Sequence, residues 1–548
     1  MLKRSNILAF ILSFFLTLFL CVGTSFIISE SFDTLKSNLI ITIISSGALL
    51  IIMYNIIKHL FKVPDNNKKE LVENEKKSKF NILFDKHPFL FSILFIILSW
   101  LIYIIAFYPC IMSPDPSFQI LQFFGIDNKY STYVNLIDES VILTNHHPVI
   151  HSILIGMCVK IGLNVFNSTN AGLFIYTIIQ TFILAGTLSY TIKFLKEINV
   201  SIGYRKLCLF IYAFVPVFAF YALSPVKDVI FSSLIILYVI SIYKFIKKTD
   251  KLNFIDAIKE TILLILITLF RNNGFHVIIL SFPFLFLLGR KNLFKYLTIF
   301  LIVISFYFSY NKVILPHFKI TAGSIREMLS VPFQQTARYV KKHENEISQN
   351  DKKIIDKVLK YDDLKDRYKP QIADPVKNKF NKDASKDDLK KYFKVWYKGF
   401  KKHPITYVEA FVNNTYGYVY PIKTNWYIYT KYNKTINEYG FNYHFNNLNS
   451  LRDILSLIGI IFPYIPALGL LVNIGFNTWI ILFMIIYLIY KKKYKEIICL
   501  IPSVIILMVC FASPVNTYFR YMMPNIFLMP ILFGIFKKEV RKEVKNER

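Results

Sequence analysis

The sequence predicts an all-α polytopic membrane protein, with about 12 transmembrane helices, interfacial helices on the outer face and one mainly helical extracytoplasmic domain. Three observations predict it. Of 548 residues, 54% are hydrophobic and 17% aromatic, with a mean hydropathy of +0.43, more apolar surface than a water-soluble fold hides. The apolar residues gather in runs long enough to cross a hydrocarbon layer of ~30 Å. The loops between those runs carry clustered Lys and Arg, the pattern that sets topology.

The formal charge of +30 raises nucleic acid as a partner. Most of that charge lies in interhelical loops and one long polar segment, so anionic membrane lipid explains it and no nucleic acid is needed. Six cysteines (Cys21, Cys110, Cys158, Cys208, Cys499, Cys510) lie mostly inside apolar runs without a CxxC, which excludes a disulfide framework and a zinc-ribbon motif. Lys3-Arg4 precede an apolar run to Ser29 that is too long for a signal peptide and lacks a small-residue cleavage site, so it reads as an uncleaved first span.

Apolar runs fall at about 7–29, 39–61, 88–108, 170–195, 205–223, 228–247, 257–270, 274–290, 293–312, 474–491, 496–513 and 520–537. The run at 257–270, about 14 residues, is shorter than the usual ~17. Two further stretches, 148–166 and 453–472, read as interfacial or re-entrant helices. If both crossed, the Lys193–Lys206 loop and Lys491-Lys492-Lys493 would face outward together, against the positive-inside bias, and Pro463 and Pro466 interrupt the second. Both termini are then cytoplasmic, with the loops Lys62–Lys86 and Lys247–Lys259, Arg290-Lys291, Lys491–Lys495 and the tail Lys537–Arg548. Four regions follow: 1–87, two helices and a basic loop; 88–312, a membrane core whose first outer loop is 109–169; 313–452, the extracytoplasmic domain; and 453–548, the C-terminal helices and tail. The 313–452 domain runs from apolar and amide positions through a Lys/Asp-rich middle to an aromatic part, Trp396–Phe445, expected to pack on the bundle.

Several polar motifs collect on one face in this topology. Pro114 and Pro116 flank Asp115 just after the run 88–108 and stop the helix from continuing. His146-His147-Pro148 ends the same outer loop. Ser224-Pro225-Val226-Lys227-Asp228 lies between spans five and six, Arg271-Asn272-Asn273-Gly274 between seven and eight, and Asn516-Thr517-Tyr518-Phe519-Arg520-Tyr521 between the last two. An acid with a Lys and two Arg suits transfer from a phosphate-linked donor: the carboxylate as general base and the cations against charge growing on the phosphate. No Walker loop or GxGxxG accompanies them.

The order of Asp115, the His146-His147-Pro148 motif, Lys227-Asp228 and the Arg271-Asn272-Asn273-Gly274 turn resembles the GT-C superfamily of membrane glycosyltransferases, the group of protein mannosyltransferases and lipid A aminoarabinose transferases. With Gln334-Gln335 followed by Arg338 and Arg520-Tyr521 followed by Pro524, the likeness is closer to an uncharacterised bacterial membrane family beside it. The resemblance spans roughly 88–536, and the first two helices look like an added module. It implies a glycosyltransferase of the bacterial cytoplasmic membrane, taking sugar from a polyprenyl-phosphate-linked donor and passing it to an envelope glycan, lipid or protein at the outer face. Asp115 maps to the acid of the first outer loop, although the usual acid pair is here Asp115-Pro116. His146, His147, Lys227, Asp228, Arg271, Asn272, Asn273, Arg520 and Tyr521 are the expected substrate-binding residues.

The residues leave alternatives open. Asp115 is a base or a helix cap; the His pair donates to phosphate, or His147 and His151 hold a divalent cation with Asp115, or both rest on backbone. Lys227-Asp228 is an internal ion pair or a phosphate ligand with its orienting acid, and Arg520 binds substrate or snorkels to lipid. A flippase for lipid-linked glycans and a non-enzymatic envelope-assembly protein are the competing functions.

Overall fold

The computed structural model describes residues 2–62, 78–247, 253–285, 293–421, 427–512 and 515–541. Arg290-Lys291 and parts of the expected basic loops and tail lie outside the described residues. Among the described residues every regular element is helical, with only isolated β-bridges besides.

Nine of the described helices are long and apolar enough to cross a membrane. A tenth forms if Ile202–Phe214 and Pro216–Ala222 are one span bent by 54°, the break falling where Pro216 lacks an N–H to continue the ladder. Phe254–Phe270 and Ile474–Tyr490 have 17 residues each, and Gly274–Leu285 has 12 described residues, so these three expected spans fall short of that length. Helix Phe519–Val540 is buried over 83% of its most apolar window and Leu39–Leu60 over 6%. The first is the centre of the bundle, and the second presents its apolar surface outward as a lipid-facing helix does.

The 148–166 stretch, expected at the interface, is helix Val149–Phe166 and has a span's length and apolarity. Its contacts with the neighbouring helix Thr169–Glu197 include two close approaches. His151 Nε2 lies 2.7 Å from the Tyr176 hydroxyl, and a Cβ on Gly172 would sit 2.5 Å from Val159 Cα. The 453–472 stretch breaks where its prolines predict, into Asn449–Ile461 and two short 3-10 turns.

The bundle has two unlike ends. One gathers paired charges: Asp85 with Arg205 at 2.7 Å, and Lys247 with Glu496 at 2.7 Å and Glu539 at 2.8 Å. Arg4 donates to Ile489 O (3.1 Å) at this end. The other end carries Asp115, Lys227, Arg271 and Arg520, covered by the 313–452 domain.

That domain has its own core, built on Phe333, Val340, Ile355, Leu359, Tyr392 and Tyr407. Its aromatic end meets the bundle, with the Tyr418 hydroxyl donating to Val515 O (2.7 Å) and Trp479 Nε1 to Val419 O (2.6 Å). Gln334 and Gln335 donate to the backbone of Ile372 and Tyr407 within the domain. The first helix, Leu2–Ser29, is integral to this packing. Phe19 lies 6.0 Å from the Trp479 ring, and Arg338 Nη2 donates to Glu30 O (2.9 Å) and to Glu409 Oε2 (2.6 Å). Glu409 in turn accepts from Phe32 N (3.1 Å).

Arg338 and Glu409 are both buried, so removing one strands a charge. Arg338→Met is expected to destabilise the protein by about 3–5 kcal/mol, read as thermal unfolding in detergent, with part of the loss restored in Arg338→Met/Glu409→Leu.

Candidate functional site

The site begins with a helix break. Ser113 is extended, Pro114 opens helix Pro114–Phe123, and Asp115 falls in its first turn. Ile111 N donates to Leu223 O (2.9 Å), which ties this turn to the one before Lys227. That second turn hangs on Gln180, whose Nε2 reaches Tyr221 O (3.1 Å), Ala222 O (3.0 Å) and Ser224 O (2.7 Å). Helix Lys227–Lys247 then starts with Asp228 fully buried.

The turn carrying Arg271 closes tightly. Gly274 N donates to Arg271 O (2.7 Å), and a Cβ on Gly274 would lie 2.3 Å from Ile267 O, so only glycine fits. Asn272 Nδ2 donates to Asn145 O (2.9 Å), fixing the backbone next to the His pair. Asn273 offers its carbonyl to His276 N (3.1 Å).

Arg520 joins the pieces. Its Nε and Nη2 donate to Asp228 Oδ2 at 2.8 and 2.6 Å, and its Nη1 to Asp115 Oδ2 at 2.9 Å. Nη1 also faces the hydroxyls of Tyr429 (3.2 Å) and Tyr518 (3.3 Å). Arg271 Nη1 pairs with Asp228 Oδ1 at 2.7 Å, its guanidinium lying 5.3 Å from the Phe231 ring and 5.2 Å from the Tyr521 ring. Asp228 is therefore clamped by two guanidiniums.

Lys227 differs. Its ammonium lies 2.9 Å from His147 Nδ1, and among the described residues it forms no ion pair with a carboxylate. His147 Nε2 points toward Asp115 Oδ1 at 3.9 Å, too long for a hydrogen bond. Tyr130 donates to that same oxygen (3.2 Å) and stacks on His146 with centroids 4.2 Å apart.

Exposure divides the network. The side chains of Asp228 and Arg520 are 1% and 4% exposed, against 25% for Asp115. Solvent meets the network at Asp115, Lys227, Tyr130 and His146, all half-buried. Burial alone would push the Asp115 carboxyl up, but the Arg520 guanidinium beside it holds it well below the usual carboxylate range. Burial, then the Lys227 ammonium, pushes His147 well below the usual imidazole range. It is thus a neutral ring accepting from Lys227. Burial and the Asp115 carboxylate push the Tyr130 hydroxyl up, so it remains a proton donor.

All the expected residues are accounted for. Asp115, His147, Lys227, Asp228, Arg271 and Arg520 form one network; His146, Asn272 and Tyr521 line it; Asn273 serves through its backbone. Asp115 does not cap its helix, since its oxygens accept from Arg520 and Tyr130. His151 is held apart by Gln119 Oε1 (3.1 Å) and the Tyr176 hydroxyl, so both its nitrogens are used away from Asp115 and the cation alternative loses a ligand.

Sequence reasoning quoted Tyr518 within the 516–521 motif without giving it a role, and missed Tyr130, Tyr429 and Gln180, and a neighbouring cluster on the domain side. There Arg326 stacks on Tyr133, and Lys377 pairs with Glu327 (2.6 Å) and Asp374 (2.9 Å). Gln180 alone carried a signal, an amide within an apolar run.

Burial pushes His146 down from 6.5 to about 4. Between those values the unfolded chain takes a proton that the folded chain refuses, so stability falls as pH drops through this window. His146→Phe keeps a ring on Tyr130 without its titration, and is expected to lessen the fall in unfolding temperature between pH 6.5 and pH 4 in detergent, the remainder coming from groups such as His147.

Searches of curated proteins and of solved structures find no match to this chain. Residues 2–548 match a family of unknown function, DUF6020, first two helices included, and the chain belongs to that family.

Proposed function

We propose that this protein is a GT-C-type glycosyltransferase of a bacterial cytoplasmic membrane, moving a sugar from a polyprenyl-phosphate donor to an acceptor at the outer face. One observation carries the reading: a half-open carboxylate, Asp115, stands near an ammonium, Lys227, that among the described residues forms no direct ion pair with a carboxylate. The three cations Lys227, Arg271 and Arg520 face two carboxylates, Asp115 and Asp228, leaving one positive charge. A sugar phosphodiester on a lipid carries one negative charge and suits that surplus better than a pyrophosphate.

In this reading Lys227 binds the donor phosphate, while Arg271 and Asp228 hold Arg520 in place. The phosphate competes for the Arg520 arm that grips Asp115. Freed of that arm, Asp115 moves back toward ordinary carboxylate basicity and takes the proton of the acceptor hydroxyl as it attacks the sugar. Asp115 is a weak base until the donor arrives, which limits hydrolysis by water.

The topology supports an outer-face site. Followed along the sequence, the chain passes between the paired-charge end and the site end twelve times if the three shorter helices and the bent pair are counted as crossings and Val149–Phe166 is not. The Lys/Arg-rich ends then all lie on one side, the cytoplasmic one by the positive-inside bias.

Two experiments test this. In cells with equal protein levels, Asp115→Asn and Lys227→Gln are each expected to lower transfer roughly 10²–10⁴-fold, seen by mass spectrometry as a missing surface sugar and an accumulating lipid-monophosphate sugar. Unchanged glycans would overturn the assignment, and accumulation of a pyrophosphate would overturn the charge argument. A cysteine replacing exposed Lys357 is expected to react with an impermeant maleimide on intact cells, and labelling only after permeabilisation would reverse the orientation.

A further inference from the structure

Away from this network, the 313–452 domain brings together three side chains that have no part in it. His343 is the last residue of helix Ser330–His343, Glu346 ends the 3-10 turn after it, and His403 lies between helices Lys386–Lys402 and Pro404–Thr415. His343 Nδ1 lies 3.2 Å from Glu346 Oε1, and His403 Nε2 lies 3.0 Å from Glu346 Oε2. The two imidazoles face each other with centroids 3.6 Å apart and planes 17° from parallel. One ligand atom from each of the three lies within 4.8 Å of the others.

We infer that His343, Glu346 and His403 form a divalent transition-metal site, with Zn²⁺ the best-suited ion. Two imidazole nitrogens and a carboxylate oxygen are a borderline donor set that favours zinc over calcium or magnesium, and three protein ligands leave a fourth position for water. Glu346 already lies between the two rings, with one ring at each of its oxygens. A dication satisfies all three at once. The far nitrogen of His343, Nε2, lies 3.0 Å from Thr406 Oγ1, an outer partner that fixes the ring.

Lys402 Nζ lies 2.6 Å from Glu346 Oε2 and competes with a cation for that oxygen. Its side chain is 52% exposed, so it swings into water when a cation enters. The site would join the end of the helix bearing Arg338 to the start of the helix bearing Glu409, the pair that anchors the first helix. Its role is therefore to lock the domain on the bundle, and it depends on no part of the transferase reading.

The test uses tag-free full-length protein in detergent, stripped with EDTA and titrated with ZnCl₂ by calorimetry, with MgCl₂ as control. One Zn²⁺ per chain and a raised unfolding temperature are expected, with no response to Mg²⁺. His343→Ala and His403→Ala should each weaken binding at least about tenfold, as Thr406→Val should by loosening the ring. Lys402→Met should tighten it, which a merely structural Lys402–Glu346 ion pair would not do. Absence of Zn²⁺ binding by the wild type, or affinity unchanged in both His403→Ala and Lys402→Met, would overturn the site.

Discussion

The structure turns on one guanidinium. Arg520 reaches Asp228 and Asp115, residues 292 and 405 positions earlier in the chain, so three distant segments meet at one side chain. Burying such charges costs several kcal/mol per ion unless each finds a partner. Here Arg520 has two carboxylates and Asp228 has two guanidiniums, so the network is stable only when all its segments are in place. The positions of the first outer loop, the turn before Lys227 and the last helix are set together.

The 313–452 domain is what holds Arg520 at that point. The loop preceding the last helix is gripped from the domain side: Asn516 N donates to Gln371 O (2.8 Å), and Gly417 N donates to Asn516 Oδ1 (2.9 Å). A Cβ on Gly417 would overlap Thr517, whose own φ is +54°. A residue forced into the left-handed region stays there only when its surroundings over-determine it. The tight Gly417–Thr517 contact and the aromatic packing of Tyr418 supply that constraint, so the domain shapes the site and adds the Tyr429 hydroxyl to it.

Much of this was legible in the sequence, and the limits have physical causes. Asp115, Lys227, Arg271 and Arg520 stood out because a charge beside an apolar run is expensive and must be put to use. The Pro114-Asp115-Pro116 triplet and the Arg271–Gly274 turn announced broken helices, since proline and glycine act through the local backbone. Which cation met which acid was not legible. That Asp228 takes both guanidiniums while Lys227 takes a histidine depends on side chains from segments hundreds of residues apart. Tyr130 and Tyr429 were hidden among the 35 tyrosines of the chain, most of which serve packing. The crossings were harder to bound, because 17-residue helices and a helix bent at Pro216 fall on either side of any length threshold.

On the proposed reading, the same geometry lets a strongly paired site react. A network in which every charge had a dedicated partner would be stable and inert. Here the surplus falls on Lys227, at the solvent-facing edge, and the carboxylate nearest to it is held by the one Arg520 nitrogen that Asp228 does not occupy. In the proposed reaction, an anion entering at Lys227 would meet that nitrogen next, and each step by which it drew Arg520 away from Asp115 would be compensated by the bond it makes. The exchange leaves Asp228 and Arg271 untouched, so the buried half of the network keeps the fold while the exposed half changes partners. The division between the two halves is set by burial alone: the Asp228 clamp is sealed, and the Asp115 edge is open.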